Sequence, residues 1–505
     1  MTPDLPVSEA TPAPAPSTGV PDTAPPAADP DTDHSARNRL VIGLLLVSTF
    51  VVILNETIMG VALPRLMDDL SVTAVAGQWL TTAYMLTMAV VIPVTGFLLQ
   101  RLHTRPVFLI AMTLFSLGTL ICAAAPGFGT LLAGRVVQAC GTAVMMPLLM
   151  TTVLTLVPPA GRGRVMGNIS IVISVAPAIG PTISGVILSV LEWRWMFILV
   201  LPIAVGSLLL GAWRMQNVTE PRPAPLDLVS VVLSALGFGG LVYGLSTLGE
   251  GGEAAVPAWV PLVVGVVALA VFVRRQTRLQ RSDRALLDLR TFRSRLFTMS
   301  TVVLAVSMMA LFGTLIVLPI YLQTVHGLDP LGTGLLLLPG GLVMGLLAPV
   351  VGRIYDRSGP TVLLVPGSVL LSASLWYLAS TSADTPVPMV LLAHVVLSTG
   401  LALMFTPLFT AGLGSLPTSL YSHGSAMVGT LQQVAGAAGT ALFVTVMTLA
   451  ASGAAASGAG GLDATAAGVR SAFVCGGIVS LLAVAGSFWV RRPALSPAPA
   501  PGSAG

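Results

Sequence analysis

Residues 39–63 read RLVIGLLLVSTFVVILNETIMGVAL. From Leu40 to Asn55 there is no charge, and the polar interruptions are Ser48, Thr49 and Asn55. A surface helix of a soluble domain carries an apolar stripe and a polar face. This run is apolar on every side, and it is long enough for a helix to cross about 30 Å of hydrocarbon, which takes about 20 residues. Thirteen further runs follow the same rule: 76–99, 106–126, 129–157, 163–190, 194–215, 226–248, 257–274, 296–323, 331–352, 361–381, 386–414, 424–451 and 470–490. The sequence therefore predicts an all-α integral membrane protein with fourteen spans.

Composition agrees. The chain is 54% hydrophobic and 9% charged, against about 25% charged in an ordinary soluble domain, and its mean hydropathy is +0.91. All 24 basic residues are arginines, with no lysine. That pattern suits a bacterial, GC-rich source. A P-loop needs its lysine on the phosphates and a Schiff base needs a lysine amine, so both chemistries are excluded. Cys122, Cys140 and Cys475 lie in apolar stretches without metal-ligand spacing, and no cofactor or metal is expected. Residues 1–37 and 493–505, rich in Pro and Ala, read as disordered cytoplasmic tails. The tail 1–37 lacks the basic start and apolar core of a signal peptide.

The arginines orient the spans. With the N-terminus inside, 20 of them fall in cytoplasmic segments. Arg65, Arg194 and Arg470 fall outside, and Arg135 lies within span 4. Cytoplasmic loops carry such an excess, so both termini are placed in the cytoplasm and the protein in the cytoplasmic membrane. The basic pI of about 9.3 follows from these loops, and no nucleic-acid partner is expected.

Three patterns recur in order. Gly96 and Arg101 match Gly352 and Arg357 at an offset of 256. Gly141-Thr-Ala-Val-Met145 matches Gly400-Leu-Ala-Leu-Met404, and Val175–Gly180 matches Val434–Gly439, both at 259. Spans 1–6 thus repeat as spans 9–14, with two helices inserted. The predicted organisation is a six-helix bundle over 38–217, two inserted helices and a basic loop over 218–295, and a second six-helix bundle over 296–492. Parallel six-span repeats build one large transporter class, with substrate held between the halves.

Several segments then carry a resemblance. They are Leu54-Asn55-Glu56-Thr57-Ile58 through Pro64, Gln78-Trp79-Leu80 with Tyr84, and Gly96-Phe97-Leu98 through Arg101 and Arg105. Arg135, Gln138 and Gly141 belong with them, as do Gly180-Pro181-Thr182-Ile183-Ser184-Gly185, Trp193–Phe197, and Leu286–Leu289 with Phe292. Together they resemble the fourteen-helix drug:proton antiporter branch of the major facilitator superfamily. The chain departs from that pattern twice: Asn55 stands where the family has an acid, with Glu56 next to it, and Gln100 stands where the loop motif has an acid.

The resemblance implies proton-coupled export of drugs, antibiotics or other lipophilic molecules by a monomer with no cofactor beyond the proton gradient. Proton-linked transport of a specific metabolite or peptide is the alternative reading. An enzyme would need clustered His, Asp or Glu in the spans, which are absent.

Glu56 is the acid placed well inside a span. Such residues face a cavity or ion path, and desolvation moves a carboxyl toward neutral pH. It reads as the proton carrier, or as a structural acid paired with Arg65 or Arg194. Arg135 reads as its coupled cation, or as a packing arginine on backbone carbonyls. The substrate cavity is assigned to Asn55, Gln138, His394 and Gln433. His394 stands one repeat offset from Arg135. Asp227 reads as the cap of span 7. The resemblance makes Gly180, Pro181 and Gly185 a conformational motif in span 5. Gly96, Arg101 and Arg105 with Gly352, Asp356 and Arg357 form a cytoplasmic latch.

Overall fold

The structure is a computed structural model and describes residues 30–72, 74–219, 221, 226–250, 256–382 and 384–491. Among these residues there is no strand. The long helices are α1 (Pro30–Leu70), α2 (Ala74–Arg101), α3 (Thr104–Ala123), α4 (Phe128–Leu156), α5 (Arg162–Val190), α6 (Arg194–Arg214) and α7 (Leu228–Glu250). They continue as α8 (Trp259–Leu279), α9 (Arg295–Ile320), α10 (Pro330–Ser358), α11 (Thr361–Leu378), α12 (Val387–Gly414), α13 (Tyr421–Ala456) and α14 (Gly461–Ser487). All fourteen are long and apolar enough to cross a membrane. No water reaches backbone polar groups in hydrocarbon, so each span must satisfy its own, and helices do.

Of the tails expected at 1–37 and 493–505, residues 1–29 and 493–505 lie outside the described residues, as do Arg222 and Arg492. Helix α1 starts at Pro30, eight residues before the boundary read from sequence. Once a long helix exists, each further turn adds a bond per residue without a new nucleus, so helix runs past the apolar segment that marks the span.

Local sequence sets several ends. Asp329 caps α10 by accepting from the Gly332 N–H at 3.0 Å, with Pro330 in the first turn. Ser294 caps α9 through the Phe297 N–H. Pro93 in α2 and Pro349 in α10 sit inside their helices at equivalent repeat positions, 256 apart.

Helix pairing repeats as the sequence does. In the first half α3 packs on α4 and α6, α2 on α4, and α1 on α4, α5 and α6. Each pairing has its counterpart eight helices later: α11 on α12 and α14, α10 on α12, and α9 on α12, α13 and α14. The same glycine makes the same crossing. A Cβ on Gly141 would collide with the α3 backbone at Ala111 and Phe115, and one on Gly400 would collide with the α11 backbone at Gly367 and Leu371. Small residues let membrane helices approach this closely.

The inserted pair α7–α8 lies against the junction of the halves, with α7 on both α2 and α13. Trp79 of α2 stacks on Tyr243 of α7, centroids 5.7 Å apart. Asp227 does more than cap. It accepts from Ser230 and forms a two-point ion pair with Arg275 of α8, at 2.6 and 2.9 Å. Gln276 of α8 donates to Ser230 and accepts the Leu286 N–H, so it ties α7, α8 and the following loop together.

The bonds from Arg275 hold the Asp227 carboxyl at about 2, below its ordinary 3.8. A depressed carboxyl stabilises the fold above its unfolded value and loses that contribution as pH falls through its folded value. At neutral pH Asp227→Asn therefore lowers the melting temperature of the purified protein. The gap to wild type closes as pH falls from 3.8 toward about 2. A gap independent of pH would show that the ion pair does not hold α7 to α8.

Candidate transport and coupling site

The intramembrane charges gather in the first bundle. Arg135 of α4 is 1% exposed. It stands seven residues inside Phe128 and 21 before Leu156, about 30 Å of helix rise from the arginine-rich end. A guanidinium there must be solvated by protein. Its carbon lies 3.9 Å from the centroid of the Tyr84 ring, and its Nη1 donates to Gln138 Oε1 at 2.7 Å. Its Nε has no partner among the described residues. Gln138 donates to Thr119 Oγ1 at 2.7 Å. The Tyr84 hydroxyl donates to Thr142 Oγ1 at 2.7 Å, and Thr142 donates to the Gln138 carbonyl. Ring face, amide and two hydroxyls thus hold the cation in one pose.

Glu56 of α1 is half-buried and lies within electrostatic reach of both Arg135 and Tyr84. It forms no ion pair with Arg135, whose Nη1 is bonded to Gln138. The readings that paired Glu56 with Arg65 or Arg194 find no contact, since Arg194 donates to the Ala125 carbonyl and covers Trp193. The neighbouring Asn55 is 2% exposed, and its Nδ2 has no partner among the described residues.

The residues assigned to the cavity are dispersed. Gln138 is fully buried and bonded through both its oxygen and its nitrogen, so it positions Arg135. His394 of α12 is 7% exposed and faces α10, where a Cβ on Gly340 would strike its ring. Gln433 of α13 reaches across to α2 and donates to the Met88 sulfur at 3.5 Å, while Gln432 donates to the Met308 sulfur at 3.9 Å. Thioether sulfur is a weak acceptor, so these two amides can exchange it for a ligand at little cost. In α5, a Cβ on Gly180 would collide with Thr57 of α1, whereas Gly185 faces open space. The helix is continuous through Pro181, whose side chain lies outside the description.

The latch motifs lie at the ends of α2 and α10. Each motif grips the opposite half. Asp356 at the end of α10 accepts the backbone N–H groups of Gly163 and Arg164, at 2.8 and 2.9 Å, in the first turn of α5. Gln100 at the end of α2 donates to Ser422 Oγ at 3.1 Å and lies 2.5 Å from His423 Nε2 in the first turn of α13. Gln100 and Asp356 differ by 256, and Gly163 and Ser422 by 259, so one contact is the repeat image of the other. Arg162 donates to the Tyr421 hydroxyl at 3.1 Å. These two residues are themselves 259 apart, and repeat-related residues can touch only beside the pseudo-twofold axis. Arg105 instead holds its own half, donating to the Ala212 carbonyl and, from its backbone, to Asn217.

Hydrogen bonds between the halves among the described residues run from this end, through Thr151–Ser425 and Ser170–Thr406, to Gln433–Met88 near mid-helix. Glu56, Tyr84 and Arg135 lie beyond them.

The family model of the Major Facilitator Superfamily matches residues 45–440. The chain belongs to the major facilitator superfamily. Among this superfamily's curated members it is 39% identical over 455 residues to the uncharacterized MFS-type transporter YcnB of Bacillus subtilis (strain 168), covering 90% of this chain and 95% of that one. It is 39% identical to the lincomycin resistance protein LmrB of the same strain (89% and 95% covered), and 30% identical to a multidrug resistance protein B homolog of Mycobacterium tuberculosis (82% and 78% covered). Among solved structures, the human organic anion transporter MFSD10 superposes with a TM-score of 0.64 at 16% identity, covering 88% of this chain and 99% of that one. The proton:xylose symporter XylE gives 0.59 at 14% identity, with 90% and 96% covered. The protein is a multi-pass membrane transporter of a small molecule, and not an enzyme.

Sequence reasoning missed the partners more than the charges. Tyr84 entered as part of a motif, not as the platform under Arg135. Thr119 and Thr142 carried no signal. His423 and Tyr421 were recoverable, since adding 259 to Arg164 and Arg162 lands on them.

The ring of Tyr84 is expected to matter more than its hydroxyl. Tyr84→Phe keeps the face under Arg135 and loses one hydrogen bond worth about 1 kcal/mol, a fall of about fivefold in transport rate. Tyr84→Leu removes a desolvated cation–π contact worth about 2 kcal/mol, a fall of about thirtyfold. Equal effects would show that Tyr84 serves by its hydroxyl.

Proposed function

We propose that the protein is a proton-coupled antiporter that exports drugs or other lipophilic, cationic or zwitterionic small molecules across the cytoplasmic membrane, with its arginine-rich end in the cytoplasm. The observation that carries this reading is the placement of an acid, Glu56, opposite a buried cation, Arg135, on the far side of the contacts that join the halves. The names of the relatives support the substrate class: a lincomycin resistance protein and a multidrug resistance homolog match 89% and 82% of the chain. The likeness to a symporter concerns the fold alone.

In this reading the structure is closed at the cytoplasmic end by α5–α10 and α2–α13. Glu56 then exchanges protons with the outer side. Protonated, it is neutral and leaves the cluster with one fixed charge, that of Arg135. Deprotonated, it offers a carboxylate to a cationic substrate or to Arg135. Substrate and proton therefore compete for one negative charge, which is the minimum requirement for exchange. Arg135 is the fixed charge within electrostatic reach of that competition, and its pose is set by Tyr84 and Gln138.

The test uses everted vesicles with lincomycin and a lipophilic cation as separate probes. Wild type accumulates at least one of them when the lumen is acidified, and a protonophore abolishes the accumulation. Glu56→Gln loses the dependence on the gradient while still binding the probe. Accumulation that survives the protonophore would contradict proton coupling.

A further inference from the structure

The α5–α10 seam is built on glycines. A Cβ on Gly163 would collide with Asp356 and the Gly352 carbonyl, one on Gly167 with the Ala348 carbonyl, and one on Gly345 with Val175. Beside this seam lies a groove of about 490 Å³ lined by Arg164, Asn168, Pro349 and Arg353. Arg164 and Asn168 are one turn apart on α5, and Pro349 and Arg353 one turn apart on α10. Two exposed cations from opposite halves thus face one groove.

Their donors are largely unused. The Arg164 guanidinium has no partner among the described residues. Arg353 commits only its Nε, to the Pro349 carbonyl at 3.2 Å. Asp356 accepts the backbone N–H groups of Gly163 and Arg164. Closing the halves brings the two like charges toward each other beside a single carboxylate, that of Asp356, so the seam keeps a net positive charge that a further anion would offset. The repeat does not require these arginines. The positions related to them by the two offsets are Phe97 and His423. That other seam is covered by α7, whereas α7 and α8 do not lie on this one.

Arg164 is two residues inside the start of α5, and Arg353 five before the end of α10. Both lie within about 8 Å of the helix ends, at headgroup depth. Basic pockets between membrane helices at that depth take lipid phosphates, and guanidinium groups match phosphate oxygens in pairs.

We propose that this groove binds the phosphate of an anionic phospholipid headgroup between Arg164 and Arg353, and that its occupancy favours the state in which the halves are joined at the arginine-rich end. The site exists only when α5 and α10 meet, so a ligand of the joined state shifts the equilibrium toward it.

The experiment measures spin-label distances in nanodiscs, with labels on cysteines introduced at Ala160 and Ser358 and the native cysteines replaced by serine. Adding phosphatidylglycerol to phosphatidylcholine discs is expected to raise the short-distance population in wild type. R164Q and R353Q each weaken that shift by about fivefold, and R164K/R353K retains part of it. Inorganic phosphate in phosphatidylcholine discs leaves wild type unchanged. A shift caused equally by inorganic phosphate would overturn the lipid as the source. A phosphatidylglycerol shift that persists in R164Q/R353Q, or none in wild type, would overturn the site.

Discussion

A guanidinium inside a membrane has to carry its solvation with it. Arg135 is 1% exposed, and the bilayer offers it nothing, so the first bundle must supply an aromatic face, an amide oxygen and a charge. Tyr84 and Gln138 supply the first two at 3.9 and 2.7 Å. The third comes from Glu56, near enough to act through space but not in contact. In the proposed antiport, that incomplete satisfaction is what the cluster uses. A fully paired buried arginine is a strut. One with an unbonded Nε and an acid within reach has a second arrangement available. Transport needs two arrangements, and interior electrostatics make the difference between them large.

In the proposed cycle the two halves supply the motion, and their symmetry is imperfect at the contacts that join them. Asp356 and Gln100 occupy equivalent positions and make equivalent contacts, each with the first turn of a helix in the opposite bundle. Asp356 brings a negative charge to the positive end of a helix and accepts two backbone N–H groups, a charge-assisted arrangement. Gln100 makes a neutral bond. One latch is therefore stronger than the other, and the stronger one lies on the seam that α7 leaves uncovered. Glycines at 163, 167, 345 and 352 let the backbones come close enough for an acid at the end of one helix to reach the start of another. Opening this end breaks those contacts together.

Much of this was legible in the sequence, for definite reasons. Span count and fold follow from run length and hydropathy, because a bilayer tolerates little else. The repeat offset foretold helix pairing, because Gly141 and Gly400 need the same close crossing. Side-chain phase was not legible. In a helix apolar all round, nothing marks which face meets protein, so Gln138 reads as a cavity residue although it is buried behind Arg135. Contacts to backbone were equally silent. Asp356 accepts N–H groups of Gly163 and Arg164, and the Arg105 guanidinium donates to a carbonyl, and neither contact depends on the partner's residue type. Asp227 reads as a cap because the cap is local. Its second partner, Arg275, lies 48 residues away in the chain.

The proposed antiport requires Glu56 to lose its proton when substrate binds. The direct measurement is proton release from the purified, detergent-solubilised transporter in weakly buffered solution, as a bound probe such as lincomycin is titrated in. Wild type should release protons in proportion to occupancy, and Glu56→Gln should bind the probe without releasing any. Proton release of equal size from Glu56→Gln would contradict the account and place the exchange on another group.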